Sequence, residues 1–199
     1  GRHPVDDNAP KHGLAVAELV YPVKISGNDG ACPGDLLFLT KPLGNGIIAT
    51  TIKAEMASSE AYEEAIKWMS MLNRKACEAM QEVGVNAATD VTGFGLMGHL
   101  FEMASGSDVQ VELNASRVEF MTGTLEYANM GLIPGGAYTN REYLGDKVEI
   151  DGDLNPVIRD LLFSPETAGG LLIAVSEEKA AALQTAMAAR DCRCFNIGR

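Results

Sequence analysis

The stretch Thr89–Leu100, TDVTGFGLMGHL, decides the fold prediction. Small and apolar residues precede it at Gly84–Ala88, and apolar side chains recur at helical spacing from Leu96 onward. This order predicts a strand, a tight glycine turn and a helix. Asp90 and Gly93 are therefore expected at the N-terminus of that helix.

The N-terminus of a helix is a favourable place for phosphate, because its first N–H groups lack partners and add to the helix dipole. The turn glycines Gly93 and Gly95 are therefore expected to contact a nucleotide. A carboxylate there would repel a polyphosphate unless a divalent cation lay between them. Mg²⁺ is commonly held by one or two carboxylates together with phosphate oxygens. The stretch thus suggests a metal and nucleotide site at Asp90.

Two alternatives use the same residues. Asp90 before a Thr-Gly turn also fits an ordinary N-cap, with the glycines needed only for a sharp turn and close packing. GFGLMG, at 93–98, also fits the dinucleotide-binding pattern, since it follows a strand and Glu112 ends a second one. Against the dinucleotide interpretation, Asp90 would lie uncompensated beside the pyrophosphate, and the unit does not open a domain.

The composition indicates a globular chain. It has 199 residues, 46% hydrophobic content and a formal charge of −11, which argues against a broad nucleic-acid or anionic-membrane surface. We expect no nucleic-acid partner and no membrane association, because there is no long apolar run and the start is polar. Four cysteines form no Cys-x-x-Cys motif. We therefore expect a cytoplasmic protein with reduced thiols.

Strands and helices alternate along the chain without an internal repeat. This order predicts an α+β (α/β layered) fold, with a mixed β-sheet packed against helices. Strands are expected at Gly13–Val20, Leu36–Thr40, Gly84–Ala88, Val109–Leu113, Leu171–Val175 and within Asp191–Arg199. Helices are expected after Gly93 and at Leu43–Ala54, Ser58–Glu82, Arg117–Met130, Leu154–Leu162 and Ser176–Ala189.

Three segments carry further expectations. Gly44 and Gly46 open a second glycine-led helix, where either an anion site or close packing on a strand fits. The helix Ser58–Glu82 is expected to be continuous and capped by Ser59. Gly131–Leu144 is expected to be an irregular, functional or mobile loop. Residues 1–30 are expected to form an interdomain segment with a first strand, and 31–199 a carboxy-terminal α/β domain.

Five blocks in order carry a family resemblance. They are PGDLLFLTKPLG (33–44), KPLGNGIIATTIKAE (41–55), TDVTGFGLMGHL (89–100), PGGAYTNREYLG (134–145) and SPETAGGLLIAV (164–175). Together they resemble the carboxy-terminal half of selenophosphate synthetase (selenide, water dikinase), within the aminoimidazole ribonucleotide synthetase-like superfamily of ATP enzymes. The resemblance covers nearly the whole chain.

The resemblance implies an ATP-dependent enzyme that converts selenide and water to selenophosphate, AMP and phosphate with Mg²⁺. It makes Asp90 a magnesium ligand. Gly1 and His3 match a Gly-Gly-His block that contacts ATP, although Arg2 and Pro4 depart from that block. SPETAGGLL departs from the family's DPQTSGGLL at Ser164, Glu166 and Ala168, and keeps both of its glycines.

The resemblance also implies a missing amino-terminal half that carries the family's nucleophile, essential lysine and two further metal-binding aspartates. We therefore expect no catalytic residue in this chain and no activity of the chain alone. The full-length enzyme is expected to be a homodimer, and this chain a monomer or weak dimer. A non-catalytic binding module, or another ATP-dependent synthetase of the superfamily, is the alternative.

Overall fold

The computed structural model describes residues 26–199. Its four strands are β1 (Leu36–Leu39), β2 (Ala87–Asp90), β3 (Leu171–Val175) and β4 (Phe195–Gly198), and they lie side by side in the order β2-β3-β1-β4. All three strand pairings are antiparallel, and one isolated parallel bridge joins Leu43 to Phe120. The strand expected at Gly13–Val20 lies outside the described residues.

The helices cover both faces of this sheet. They are α1 (Asn45–Lys53), α2 (Ser59–Ser70), α3 (Arg74–Val83), α4 (Gly95–Ser107), α5 (Thr124–Asn129), α6 (Gly135–Leu144), α7 (Pro156–Leu162) and α8 (Glu177–Ala188), with 3-10 turns at Ala115–Arg117 and Gly145–Lys147. In residues 26–199, no helix combines the length and the apolar character needed to cross a membrane.

The central strand β3 is buried along its whole length, which explains its unbroken apolar sequence. Because side chains alternate along a strand, Leu172 and Ala174 join the core on the α4 side. Leu171, Ile173 and Val175 join the core formed with α3 and α8. The sheet is therefore the middle layer of three, and the predicted α+β class is confirmed, with antiparallel strand pairs in place of the expected mixed sheet.

The long helix predicted over 58–82 is wrong as a single element. The chain leaves helical geometry at Met71, and α3 begins afresh after Asn73. Ser58, not Ser59, caps α2 by accepting a hydrogen bond from the N–H of Ala61 at 3.2 Å. The amphipathic pattern continues across the break, so periodicity alone could not show it.

The loop predicted at Gly131–Leu144 is also wrong, because α6 begins at Gly135 directly after extended Pro134. Two glycines are poor helix formers, but α6 buries Ala137 and Leu144, and packing outweighs propensity. Upstream, the predicted strand Val109–Leu113 contributes only a bridge from Leu113 to Gly198. The helix predicted over 117–130 is reduced to the short α5 and the preceding 3-10 turn.

Candidate functional site

Asp90 ends the edge strand β2, and a four-residue turn leads from it into α4. The strand, turn and helix predicted around this residue are confirmed. Asp90 is exposed. Its carboxylate accepts no hydrogen bond from any group in residues 26–199, and the N-cap residue of α4 is Phe94, without a side-chain cap. The alternative that Asp90 caps this helix is therefore wrong.

The turn after Asp90 is fixed by hydrogen bonds. The carbonyl of Thr92 accepts from the N–H of Gly95 at 3.0 Å and from the N–H of Glu166 at 2.9 Å. On the other side, Asn140 Nδ2 donates to the carbonyl of Gly93 at 2.9 Å and to that of Phe163 at 3.0 Å. The exposed carboxylate of Asp90 is therefore followed by a turn whose backbone is fixed by these hydrogen bonds.

Gly95 meets a steric requirement at this turn. Its φ of +68° lies in the left-handed region, and an added Cβ would lie 2.7 Å from the backbone C and O atoms of Phe163. Its N–H is already used inside the turn. Gly93 is partly exposed. Nucleotide contact by Gly93 and Gly95 stays a prediction, and Gly1 and His3 lie outside the described residues.

Behind the turn, three side chains form a hydrogen-bonded row. Thr92 Oγ1 lies 3.1 Å from His99 Nε2, and His99 Nδ1 lies 3.1 Å from Glu102 Oε2. His99 is buried, and its ring lies 5.6 Å from that of Phe94, between centroids. This row was not among the predicted site residues, although the i,i+3 spacing of His99 and Glu102 on a predicted helix was a usable signal.

The N-terminus of α1 contains a carboxylate of the protein itself. Glu166 is buried, its Oε1 accepts from the N–H of Gly44 at 2.8 Å, and its Oε2 accepts from the N–H of Asn45 at 3.0 Å. Burial raises the pKa of Glu166 to about 7, while the hydrogen bonds from Gly44 and Asn45 oppose that rise. Glu166 occupies the place that an anion would take, so at α1 the structure favours close packing over an anion site.

Lys41 connects the same loop to the break between α2 and α3. Its buried Nζ donates to the carbonyls of Trp68 at 3.0 Å, Met71 at 2.6 Å and Ala168 at 2.9 Å. Burial lowers the pKa of this amine. Asn73 Nδ2 adds a bond to the carbonyl of Gly169 at 2.9 Å. These contacts hold the loop 164–170 against the break between α2 and α3.

The other candidate groups either form contacts within the protein or belong to a groove that does not include Asp90. Arg141 forms an ion pair with Asp160, and its guanidinium carbon lies 5.6 Å from the ring centroid of Tyr138. A groove of about 1300 Å³ lies beside α4 and is lined by residues 109–116 and 146–154, without Asp90. Within residues 26–199, no three His, Cys, Asp or Glu side chains are grouped to hold a metal.

The dinucleotide-binding alternative is wrong on topology. That unit needs two parallel strands joined by the helix. Here β2 lies at one edge of the sheet and pairs antiparallel with β3. The backbone of Glu112 bonds to Arg199, next to β4, which lies at the opposite edge. The helix α4 therefore does not connect neighbouring parallel strands.

Comparisons with known proteins agree with this architecture. Residues 32–199 match the family described as AIR synthase related protein, C-terminal domain. The chain is 53% identical over 180 residues to a selenide, water dikinase of Caldanaerobacter subterraneus subsp. tengcongensis, covering 90% of this chain and 52% of that protein. It is 46% identical to selenide, water dikinase 2 of Peptoclostridium acidaminophilum, covering 94% of this chain and 54% of that protein. The chain spans about half the length of these relatives.

Solved structures show the same fold at low sequence identity. A thiamine-monophosphate kinase from Stenotrophomonas maltophilia K279a superposes with a TM-score of 0.65 at 17% identity, covering 90% of this chain and 51% of that one. The hydrogenase maturation protein HypE superposes with a TM-score of 0.58 at 20% identity, covering 90% of this chain and 47% of that one. The sequence resemblance is confirmed, and the chain belongs to the family of AIR synthase related proteins, whose carboxy-terminal domain it contains.

Proposed function

We propose that this chain is the carboxy-terminal half of a selenide, water dikinase. The full-length enzyme would convert ATP, selenide and water to selenophosphate, AMP and phosphate. The observation that carries the proposal is the similarity to relatives named selenide, water dikinase, at 53% and 46% identity over at least 90% of this chain. The comparisons do not favour the alternative of a non-catalytic binding module.

In this proposal, Asp90 binds Mg²⁺. An exposed carboxylate without a hydrogen-bond partner among the described residues, on a backbone that is itself fixed, fits a cation that keeps several water ligands. When bound, Mg²⁺ supplies positive charge to the oxygens of the transferred phosphate. Asp90 orients the cation, and the turn of Gly93 and Gly95 faces the nucleotide, with Gly1 and His3 as further ATP contacts.

The remaining catalytic groups belong to the amino-terminal half in this proposal. A single carboxylate holds Mg²⁺ weakly, because the ion gives up its water reluctantly and needs several placed oxygens. The chain alone is therefore inactive and a monomer or weak dimer, whereas the full-length enzyme is a homodimer that takes ATP and selenide in the cytoplasm.

The test compares this chain with a full-length protein that also contains an amino-terminal half. Selenophosphate is followed by ³¹P nuclear magnetic resonance, and AMP by chromatography, with ATP, Mg²⁺ and selenide present. We expect selenide-dependent AMP and selenophosphate from the full-length protein and neither product from the chain alone. Full-length protein that forms no selenophosphate would contradict the reaction, and turnover by the chain alone would contradict the division between halves.

A further inference from the structure

The groove of about 1300 Å³ beside α4 borders a short extended segment at the edge of the sheet. Glu112 and Arg199, next to β4, exchange two backbone hydrogen bonds, of 2.6 and 2.9 Å. Two residues on, Asn114 donates to the carbonyl of Ile197 at 2.8 Å. The segment 109–116 lines the groove, and none of the four residues of β4 does. The groove therefore lies along the edge of this segment that faces away from β4.

Both walls of the groove carry unpaired backbone groups. The peptide groups of an extended segment point alternately to its two edges, so the N–H and C=O groups of Val111 and Leu113 point away from β4, to the groove. They make no hydrogen bond within residues 26–199. In the second wall, Glu149 and Ile150 likewise make no backbone hydrogen bond to any residue that the structure describes. Such a free edge is a template for another strand.

The lining of the groove is suited to a strand with two different faces. Along the second wall, Val148 and Ile150 are partly buried, whereas Glu149 and Asp151 are exposed, which is the alternation of a half-buried strand. Below them, Phe101 of α4 adds a partly exposed apolar side chain. A ligand can therefore place apolar side chains inwards and polar ones outwards.

The rim of the groove is acidic. The exposed carboxylates that line it are Glu112, Asp146, Glu149, Asp151 and Asp153. Two basic side chains also line it, and both have partners: Arg159 Nε lies 3.3 Å from Asp160, and Lys147 Nζ lies 4.8 Å from the ring centroid of Tyr143. This rim attracts a cationic ligand. A second copy of this chain, with a formal charge of −11, would be repelled.

From these features we propose that the groove binds an extended segment of a partner protein in which lysine or arginine alternates with branched apolar residues. The segment pairs its backbone with the free edge at Val111 and Leu113, its apolar side chains contact Val148 and Ile150, and its cations face the acidic rim. In strand addition of this kind, main-chain hydrogen bonds give affinity and alternate side chains give specificity. Asp90 does not line the groove, so this interaction is separate from the proposed reaction.

The test uses a blocked, fluorescent heptapeptide of alternating lysine and valine, whose anisotropy is followed with this chain and with the full-length protein. We expect saturable binding to both proteins, which weakens as salt is added. Two peptides of equal length are the controls. One has glutamate in place of lysine, and the other has methylated backbone nitrogens, which cannot donate to the free edge. Both controls should bind about tenfold more weakly or less.

Matched protein variants locate the binding. The double variant Glu149→Lys, Asp151→Lys should raise the Kd of the lysine peptide about tenfold, because two attractions become repulsions. Glu177→Lys, Glu178→Lys makes the same change of charge on α8, on the other face of the sheet, and should stay within about twofold. Circular dichroism establishes that both variants are folded. Saturating peptide should also slow hydrogen exchange at Val111 and Leu113.

Each of the other outcomes would overturn the proposal. Absence of binding, or equal binding of the lysine and glutamate peptides, would exclude a cationic ligand. Equal binding of the methylated peptide, or unchanged exchange at Val111 and Leu113, would exclude strand addition at this edge. Equal loss in the two double variants would show attraction by net charge alone. Binding to this chain but not to the full-length protein would show that the amino-terminal half covers the groove in place of a partner.

Discussion

The N-termini of α1 and α4 both follow glycine-rich turns and both have a carboxylate close by. At α1, Glu166 is buried and accepts two backbone N–H groups. At α4, Asp90 is exposed and makes no such bond among the described residues. The same local motif therefore leaves its carboxylate in two different environments. A carboxylate that satisfies the helix stabilises the fold, and a carboxylate that the fold leaves free is available to a ligand.

The largest expected effect is on stability, at the α1 end. Glu166→Ala leaves the N–H groups of Gly44 and Asn45 buried without a partner, and each such group is worth roughly 1–3 kcal/mol. We expect the free energy of unfolding to fall by about 4 kcal/mol in urea denaturation at pH 6. Glu178→Ala, at an exposed position of α8, is the control and should change stability little. A comparable loss in both variants would contradict the role of Glu166.

The next effect is a pH dependence at the same residue. The pKa of Glu166 is about 7 in the folded chain, against an ordinary value of 4.5. Between pH 4.5 and pH 7 the carboxyl of Glu166 is ionised in the unfolded chain and still protonated in the folded chain. The stability contributed by the protonated form is therefore fully present below pH 4.5 and is lost as the pH rises through 7. The loss is roughly 3 kcal/mol. Glu166→Gln should remove this part of the pH profile, and an unchanged profile would show that the carboxyl is ionised throughout.

At α4 the pattern should be reversed. Asp90→Asn in the full-length protein should reduce selenide-dependent AMP formation by about 100-fold, a change of roughly 2.7 kcal/mol in transition-state stabilisation. Its free energy of unfolding should stay within about 0.5 kcal/mol, because the side chain is exposed. Rates and urea midpoints are measured on the same preparations. A large loss of stability with full activity would place Asp90 among the structural residues.

The smallest effect concerns the rigidity of the open turn. Asn140→Ala removes the bonds to the carbonyls of Gly93 and Phe163, and should lower stability by about 1–2 kcal/mol. Asn129→Ala also removes an amide-to-carbonyl bond, but an exposed one within α5, and should have a smaller effect. Hydrogen exchange of residues 91–95 should accelerate only in Asn140→Ala. Equal exchange in both variants would show that Asn140 does not fix the turn.

Local sequence patterns were sufficient for much of the fold. The apolar runs of β1 and β3 and the glycine turn between β2 and α4 were predicted because each depends on neighbouring residues. The break between α2 and α3 was missed because it depends on Lys41, which lies outside both helices and donates hydrogen bonds to the carbonyls of Trp68 and Met71. The helix α6 was missed because packing of Ala137 and Leu144 outweighs its two glycines.

The candidate site likewise combines a local feature that could be predicted with long-range contacts that could not. The position of Asp90 between β2 and the turn into α4 could be predicted, since a carboxylate beside a glycine turn is a local signal. Its role as a magnesium ligand stays a prediction. The residues that fix its surroundings could not be predicted, because Asn140 lies 47 positions from Gly93, and Lys41 lies 127 positions from Ala168. No periodicity or short motif connects positions so far apart. The raised pKa of Glu166 could not be predicted either, because it depends on the burial of the side chain.

The contact between Glu166 and α1 also has a consequence during synthesis of the protein. The carboxylate that completes the start of α1 lies 121 and 122 positions after its two partners. The ribosome synthesises the intervening residues before it reaches Glu166. During that time the first N–H groups of α1 lack their carboxylate partner. Contacts of this sequence separation slow folding. Termination before Glu166 would therefore yield a product in which α1 stays incomplete, whatever the quality of its own sequence.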